Sequence, residues 1–399
     1  MFPRFLTSIV SWRSVAVLAV VASVLQVTNV VLTWQLRQRQ LISMAGEKNT
    51  ALGPKTGLRE NIIASVLQLS DDHQAILTRI AHWSVLDGSG EFRVSTGVVR
   101  GTEGGQGEEQ EAATQGLTLV TQCSFTRLQR LPPLASHWQG PISIAVFALS
   151  GEVQAVVQTF HLLRKCYPEV RANVTFSLVF PLNSPTSPHL TPTTDATPCD
   201  RIFSSARQPN YDFKGVQYPN NLLRNVARKA TITRLMMVVD IDMIPGEGLH
   251  DAFVSYAGRQ GLFGENSGEE KTVWVVPRYT DYPAWEKKSE VKAGKVEPLY
   301  EVLWQDPWEP FYIASTKVPL YDERFRQYGF NRISQVCELH VAGYRFLVLD
   351  SAFVIHRGFK TNTGFHTTKD VEQERNRILF RQFKGELKER YPESSRRCY

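Results

Sequence analysis

The chain has 399 residues, enough for one large domain or two, and its composition of 42% hydrophobic and 21% charged residues is that of a globular protein. Its net charge of +6 is spread along the chain, and no polybasic block with interleaved aromatic residues occurs, which argues against a nucleic-acid-binding protein. A net positive protein still favours anionic ligands.

The first element is the uncharged segment Ser14 to Trp34, whose 21 residues are enough to span a bilayer as a helix. The alternative is a cleaved signal peptide, for which this apolar stretch is long. Basic residues lie on both sides of the segment, so the charge rule does not decide its orientation. The sequon Asn173-Val174-Thr175 favours a lumenal location for the C-terminal part. We expect a membrane anchor over residues 14–34, then a stem with a flexible acidic loop over residues 35–115.

From Leu117 onward, strand and helix patterns alternate. Apolar runs predict buried strands at 117–121, 142–147 and 174–180, and apolar spacing predicts a helix over 151–166 between the last two. This alternation indicates an α/β fold with a mixed, mostly parallel central sheet. Further helices are predicted over 58–80, 222–230, 331–342 and 371–391, and further strands at 91–94, 235–239, 272–276, 311–313, 346–349 and 352–355, with Phe253 and Tyr256 continuing the sheet.

Five cysteines are present, and none belongs to a Cys-x-x-Cys motif, so no zinc site is indicated. In an oxidising lumen they would form two disulfides and leave one free thiol, although the sequence does not decide the pairing. For Cys123 a buried, unpaired side chain that packs as a small hydrophobe is an equal alternative.

Asp240 and Asp242 follow the apolar strand 235–239 directly. Neighbours at i and i+2 of a strand point the same way, so the two carboxylates are expected on one side. Hard oxygen donors at a strand end suit Mg²⁺ or Mn²⁺ carrying a diphosphate. The alternative is a pair of turn-initiating aspartates before Pro245-Gly246.

His356 follows another short apolar strand and precedes Arg357 and Lys360. A neutral imidazole would complete the coordination of Mn²⁺, and the two cations would neutralise a diphosphate leaving group. The alternative is a structural histidine.

Two further segments carry candidate binding residues. Asn220 or Asn221 would cap the helix before the Asp240 strand, and Arg224 in that helix would face phosphate or uracil, the alternative being a solvated arginine. The segment 304–312 combines two tryptophans with Asp306 and Glu309. Aromatic faces suit sugars and carboxylates suit hydroxyls or a general base, although a kinked, partly buried loop is an alternative.

Five segments occur in an order that resembles a known family: 218–225, 240–245, 304–312, 322–335 and 356–360. Together they resemble the β-1,4-glucuronyltransferases and, more distantly, the glucuronyltransferase domain of the bifunctional matriglycan-extending enzymes. The resemblance covers residues 84–399 and is most specific between Trp304 and Lys360. Residues 182–215 match poorly, and the segment from Tyr282 to Trp304 looks shorter than the family pattern and lacks an expected cysteine pair.

The resemblance implies a GT-A-type glycosyltransferase fold over residues 116–399, with a nucleotide-binding half over 116–242 and an acceptor half over 243–399. It implies a single-pass type II protein of the Golgi membrane, with residues 1–13 in the cytoplasm and the catalytic domain in the lumen. The implied reaction is Mn²⁺-dependent transfer of glucuronic acid from UDP-glucuronic acid to a β-xylose in β-1,4 linkage. The acceptor would be the O-mannosyl glycan of α-dystroglycan, where the product primes a laminin-binding polysaccharide. Other glycosyltransferases would be further partners.

By motif match, the resemblance implies metal ligation by Asp240, Asp242 and His356. The residues expected to contact the nucleotide sugar are Asn221, Arg224, Asp240, Arg332, Arg357 and Lys360, with Arg332 assigned to the carboxylate of the donor sugar. The donor is α-linked and the product β-linked, so a single displacement suffices, with Glu309, Asp306 or Glu338 as the base. The sequence does not choose among these three.

Three other functions are alternatives for this sequence. A haloacid-dehalogenase-type phosphatase would need Thr or Val two positions after its second Asp, where this chain has Ile244. An inactive lumenal partner of other glycosyltransferases would have no need of Asp240, Asp242 and His356. A related Golgi enzyme with another UDP-sugar donor or another acceptor is the third alternative.

Overall fold

The structure is a computed structural model, and it describes residues 73–102, 114–183, 197–203, 216–264, 271–277, 294–358 and 368–398. The predicted tail, anchor and most of the predicted stem lie outside the described residues, as does Lys360. Within the described ranges, no helix is both long enough and apolar enough to cross a membrane.

A ten-stranded mixed sheet forms the centre of the described part of the chain, in the order β1-β2-β5-β4-β3-β6-β10-β8-β11-β9, and a two-stranded ribbon pairs β7 with β12. The strands are β1 Val85–Leu86, β2 Phe92–Val99, β3 Leu117–Ser124, β4 Ile142–Phe147, β5 Val174–Pro181, β6 Leu235–Val238, β7 Met243–Pro245, β8 Thr272–Val276, β9 Pro298–Val302, β10 Phe311–Ser315, β11 Arg345–Leu349 and β12 Val354–His356. The predicted α/β class with a mixed sheet is confirmed.

The expectation that the sheet is mostly parallel is wrong. Strands β5, β4, β3 and β6 run parallel, as do β8 and β11, but the remaining pairings are antiparallel. The change of direction comes from β10, which lies antiparallel between β6 and β8. The parallel block therefore ends at β6, the strand that leads to Asp240.

Helices cover both faces of the sheet. They are α1 His73–Trp83, α2 Leu131–Trp138, α3 Val153–Cys166, α4 Pro168–Asn173, α5 Asn220–Lys229, α6 Leu249–Arg259, α7 Ile333–Val341 and α8 Lys369–Arg390. Two apolar clusters result: Val156 of α3 and Phe253 of α6 pack in one, and Leu223 of α5 and Phe383 of α8 pack in the other. Every residue of β3 is buried, as expected for a strand covered on both faces.

Two expectations about elements are corrected. Phe253 and Tyr256 lie in helix α6, where a spacing of three places both on its buried face, and they are not part of the sheet. The boundary at residue 116 is also too late for the folded unit. Ile76 and Ile80 of α1 pack in the core, and β2 pairs with β5, so part of the predicted stem belongs to the fold.

The cysteines form the predicted two disulfides and one free thiol. Cys166 bonds Cys199, and Cys337 of α7 bonds Cys398 near the C-terminus. Cys123 is free and buried in β3, and burial raises the pKa of its thiol to about 12, with Arg127 and Arg130 opposing the rise. It therefore stays protonated at neutral pH and packs as a small hydrophobe.

Substituting Phe383→Ala is expected to lower the free energy of unfolding by about 3–5 kcal/mol, because its fully buried ring packs against Phe325 and Phe380. The matched control is Ile378→Ala in the same helix, where the side chain is 58% exposed and a change within about 0.5 kcal/mol is expected. Urea denaturation of the full-length protein, followed by tryptophan fluorescence, measures both. Equal losses would contradict the placement of α8 against the core.

Candidate active site

The candidate site lies where the chain leaves β6. Asp240 and Asp242 occupy the turn between β6 and β7, and the N–H of Met243 donates to the carbonyl of Asp240 at 2.9 Å. Since β6 is flanked by β3 and β10, the turn emerges at the edge of the parallel block. Ligand sites of open α/β sheets form at such carboxyl ends of strands.

His356 is brought to Asp242 by the β7–β12 ribbon. Met243 pairs with His356, and the N–H of Arg357 donates to the carbonyl of Asp242 at 2.8 Å. As a result, Nε2 of His356 lies 3.5 Å from Oδ2 of Asp242. Nδ1 of the ring lies 2.7 Å from the carbonyl of Gly358, which accepts a hydrogen bond and so fixes the proton on Nδ1. In the neutral ring, Nε2 then carries a lone pair that faces the Asp242 carboxylate. A cation bound between them would accept electron density from both atoms.

Arg130 is a cationic neighbour of Asp242, and no local sequence pattern singled it out. It follows β3 in a 3₁₀ turn, and its Nη1 lies 3.4 Å from Oδ2 of Asp242. Burial lowers the pKa of Arg130, as does Arg127, while Asp242 opposes the shift. The fold thus places positive charge beside this carboxylate.

Asp240 faces two arginines. Nη2 of Arg224 lies 2.9 Å from its Oδ1, and Nη1 of Arg332 lies 3.4 Å from its Oδ2. Burial acts to lower the pKa of Arg224, but the charge of Asp240 opposes it and the net pKa is raised. Arg224 is therefore a buried, permanently charged group in an ion pair, and the alternative of a solvated arginine is wrong.

Asparagine side chains hold Arg224 in place. Its Nη1 donates to Oδ1 of Asn221 and to Oδ1 of Asn331, each at 2.9 Å. The amide of Asn221 donates in turn to the carbonyls of Asp322 and Asn331. The predicted capping by Asn220 or Asn221 is wrong, because Pro219 is the N-cap and no side-chain cap bond forms. Asn221 instead orients Arg224 together with Asn331, a hydrogen-bond partner that sequence reasoning did not single out.

Glu309 joins the same network through Arg332. Nη2 of Arg332 lies 3.3 Å from Oε2 of Glu309 and donates to the Glu309 carbonyl at 3.1 Å. The guanidinium also lies over the ring of Phe311, 4.2 Å from its centroid. Arg332 therefore links Asp240 at the end of β6 to Glu309 at the start of β10.

The other two candidate bases lie elsewhere. Asp306, in a cis peptide bond with Pro307, is exposed; partial burial raises its pKa, and Lys384 of α8 opposes that rise. Glu338 is buried in α7, where Arg390 donates to it at 2.6 Å and Tyr391 at 3.0 Å. Among the described hydrogen bonds, the side-chain partners of Glu338 are Arg390 and Tyr391, and Asp240 is not one of them. Glu338 therefore anchors the end of α8 to α7.

The two tryptophans of the 304–312 segment differ in burial. Trp304 is buried, and its Nε1 donates to the carbonyl of Trp308 at 2.8 Å. It holds the loop together and offers no open face to a sugar, in agreement with the alternative of a kinked, partly buried loop. Trp308 is half-buried.

The three expected metal ligands are not assembled as one cluster. Among the described residues, no group of three or more His, Cys, Asp or Glu side chains is close enough to hold a metal ion. Asp242 and His356 adjoin, while Asp240 faces the two arginines. The carboxylate of Asp242 fits Mg²⁺ or Mn²⁺, which bind few protein ligands and complete their shell with phosphate oxygens and water. The imidazole of His356 can add a nitrogen ligand to Mn²⁺. Arg357 is exposed beside this pair.

Comparison with known proteins identifies the family. The family model described as a glycosyl-transferase for dystroglycan matches residues 116–280 and 278–392. The chain belongs to this family. It is 34% identical over 417 residues to β-1,4-glucuronyltransferase 1 of Danio rerio, covering 91% of each chain, and 38% identical over 367 residues to that of Bos taurus, covering 80% of this chain and 85% of the relative. Xylosyl- and glucuronyltransferase LARGE1 of Homo sapiens is 26% identical over 315 residues, covering 70% of this chain and 36% of the relative.

Substituting Arg224→Met is expected to lower the free energy of unfolding by about 2–3 kcal/mol, because it leaves the buried oxygen of Asn221 and the half-buried oxygen of Asn331 without their donor. The loss stays below that of a fully buried ion pair, since Asp240 is 34% exposed and retains Arg332. The control Arg259→Met, whose arginine is 46% exposed in its pair with Glu297, should leave stability nearly unchanged. Urea denaturation distinguishes them, and equal effects would contradict the structural role of Arg224.

Proposed function

We propose that this protein is a metal-dependent glucuronyltransferase that moves glucuronic acid from UDP-glucuronic acid to a terminal β-xylose in β-1,4 linkage. The acceptor is the O-mannosyl glycan of α-dystroglycan, on which the product primes a laminin-binding polysaccharide. The observation that carries the proposal is the family match over residues 116–392, which spans both carboxylates of the Asp-x-Asp turn and His356. We also propose a GT-A-type fold, supported by the nucleotide-site position of Asp240 at the end of β6.

Asp242 and His356 are the side chains that would hold a divalent cation, which we propose to be Mn²⁺. When bound, the cation supplies Lewis-acid stabilisation to the diphosphate of the departing UDP. Asn221 fixes Arg224, Arg224 fixes Asp240, and Asp240 is thereby oriented toward the nucleotide sugar. Arg130 and Arg357 add positive charge beside Asp242, which favours an anionic donor.

Arg332 is the guanidinium that we assign to the carboxylate of the donor sugar. It already lies among acidic groups, between Asp240 and Glu309, and a guanidinium binds carboxylates through two parallel hydrogen bonds. Of the three base candidates, Glu309 is favoured because it shares Arg332 with Asp240. Glu309 takes the proton of the acceptor hydroxyl as that oxygen bonds the anomeric carbon, and the bond to UDP breaks with inversion.

A Golgi location, with a type II anchor over residues 14–34 and a lumenal catalytic domain, is part of the proposal. Two disulfides support it, because such bonds persist in oxidising compartments and are rare in the cytosol. The partners are then the Golgi membrane, the acceptor glycan and other glycosyltransferases that build the same glycan.

Replacing Asp242 with Asn is expected to reduce Mn²⁺-dependent transfer at least about 100-fold, since a lost ligand removes several kcal/mol of charge stabilisation. The assay follows glucuronic acid transfer from UDP-glucuronic acid to a β-xyloside, with and without Mn²⁺. Asp251→Asn, an 84% exposed carboxylate of α6, is the matched control and should keep full activity. Full activity in the Asp242 variant would contradict the assignment of Asp242 as a metal ligand. Transfer of xylose or N-acetylglucosamine in place of glucuronic acid would overturn the donor, and no transfer with any donor would favour an inactive partner.

Glu309→Gln is expected to lower kcat by about 10²–10⁴-fold, the usual contribution of a general base, with little change in stability. Glu338→Gln should instead lower the melting temperature and leave kcat near that of the unsubstituted protein, because its carboxylate binds Arg390 and Tyr391. Asp306→Asn completes the series. If the Glu309 variant keeps a near-normal kcat and the Asp306 variant is inactive, Asp306 is the base.

A further inference from the structure

A basic cavity of about 460 Å³ lies at the C-terminal end of the fold, away from the Asp240 turn. Four cations line it: Arg381, Lys384 and Lys388 of α8, and Arg397 of the C-terminal segment. The three residues of α8 are spaced by three and four positions, so they project from one face of the helix. Cavities of this size are typical of small-molecule sites.

The cations of this basic cavity are poorly neutralised by the protein. Among the described residues, Arg381 and Lys388 form no hydrogen bond and no ion pair. Lys384 lies over the ring of Phe380, 5.3 Å from its centroid, and near the carboxylate of Asp306. Four positive side chains therefore face two acidic neighbours, Asp306 near Lys384 and Glu374 near Arg381, and Glu374 is already paired with Arg377. The excess of positive charge favours a ligand with more than one negative charge.

Other nearby acids are already engaged. Glu386 accepts from Arg324 at 2.5 Å, and Glu338 accepts from Arg390 at 2.6 Å. Arg397 is held in place by donating to the carbonyls of Ser394 and Arg396. Glu386 and Glu338 are therefore not available to neutralise the cavity, and Arg397 is held at its rim.

The remaining wall of the cavity is apolar and rigid. It consists of Val341 at the end of α7, Leu387 of α8 and the sulfur of Cys398, which is bonded to Cys337. The disulfide ties the C-terminal segment to α7 and so keeps Arg397 opposite α8. Cations around an apolar wall suit a compact ligand that carries phosphate groups on a less polar body.

Gly385 supplies an independent observation. It lies in the interior of α8, where glycine is less stable than alanine, and it lines the cavity. No atom lies within 4 Å of where its Cβ would be, so neither packing nor backbone conformation requires glycine. Gly385 is exposed, and a larger side chain at this position would extend into the cavity that it lines.

We propose that this cavity is a second binding site, specific for small phosphate-bearing solutes and separate from the transferase site. Among the described hydrogen bonds and ion pairs, none joins its lining residues to Asp240, Asp242, His356 or the favoured base Glu309. Lys384 lies near Asp306, the base candidate that the geometry does not favour. The proposal does not depend on the transferase activity, because it rests on the charge and shape of a different surface.

The test is calorimetric titration of the full-length protein with pyrophosphate in EDTA, which removes divalent cations from the Asp242 site. One binding event is expected, weakening as NaCl is raised because salt screens exposed charges. Lys388→Glu should weaken binding at least about tenfold, by replacing attraction with repulsion. Gly385→Leu should do the same by filling the cavity, with the melting temperature unchanged or higher because leucine is the better helix former.

Lys317→Glu is the matched control, because it makes the same change in net charge at an exposed lysine outside the cavity. It should leave pyrophosphate affinity within about twofold of the original, as expected for a screened, distant charge. Equal weakening by Lys317→Glu and Lys388→Glu would overturn the proposal, because it would show general charge attraction. Absence of pyrophosphate binding, or binding that persists in the Gly385 variant, would also overturn the proposal. A parallel titration with anionic lipid vesicles tests a membrane surface as the ligand, and binding to the vesicles but not to pyrophosphate would overturn the proposal as well.

Discussion

The buried guanidinium of Arg224 is the group on which the geometry of the site depends. Its side chain is 3% exposed, and a charge so far from water must be compensated by partners with good geometry. The carboxylate of Asp240 supplies the opposite charge by accepting from Nη2 of Arg224, and the Asn221 and Asn331 oxygens accept from its Nη1. Helix α5, the end of β6 and the segment before α7 are thereby fixed to one another. The turn that carries Asp242 begins from this fixed point.

That constraint separates the roles of the two aspartates. Asp240 is engaged by two arginines. Asp242 has one arginine, Arg130, at 3.4 Å, and it adjoins an imidazole whose Nδ1 proton is committed to the carbonyl of Gly358. Only Asp242 therefore has a nitrogen lone pair beside it, on Nε2 of His356, that a bound cation would share. The alternation of a strand suggested equivalent carboxylates, but β6 ends at Val238, so the pair lies on a turn.

Local patterns predicted what depends on local burial. Strand Ile142–Phe147 is fully buried and was found at its observed bounds, and the helix ending at Cys166 was found almost as well. Phe253 and Tyr256 were misassigned because a pair of apolar residues three apart does not by itself distinguish a buried helix face from a strand. The antiparallel direction of β10 could not be predicted from local patterns, because strand direction is set by pairing between distant segments. Arg130 was missed for the same reason, because the side chain it meets is more than a hundred positions away along the chain.

The position of Arg332 also bears on the order of events in the proposed reaction. In the described structure Arg332 is shared between Asp240 and Glu309 and stacks on Phe311, so its guanidinium plane is held but its partners are exchangeable. Glu309 is bound through Nη2 of Arg332, so a donor carboxylate that took the Nη2 N–H groups would displace it. Donor binding would then release the Glu309 carboxylate toward the acceptor hydroxyl. The proposed base, Glu309, would then become available only after the donor is in place, and the proposed mechanism would require donor-first binding.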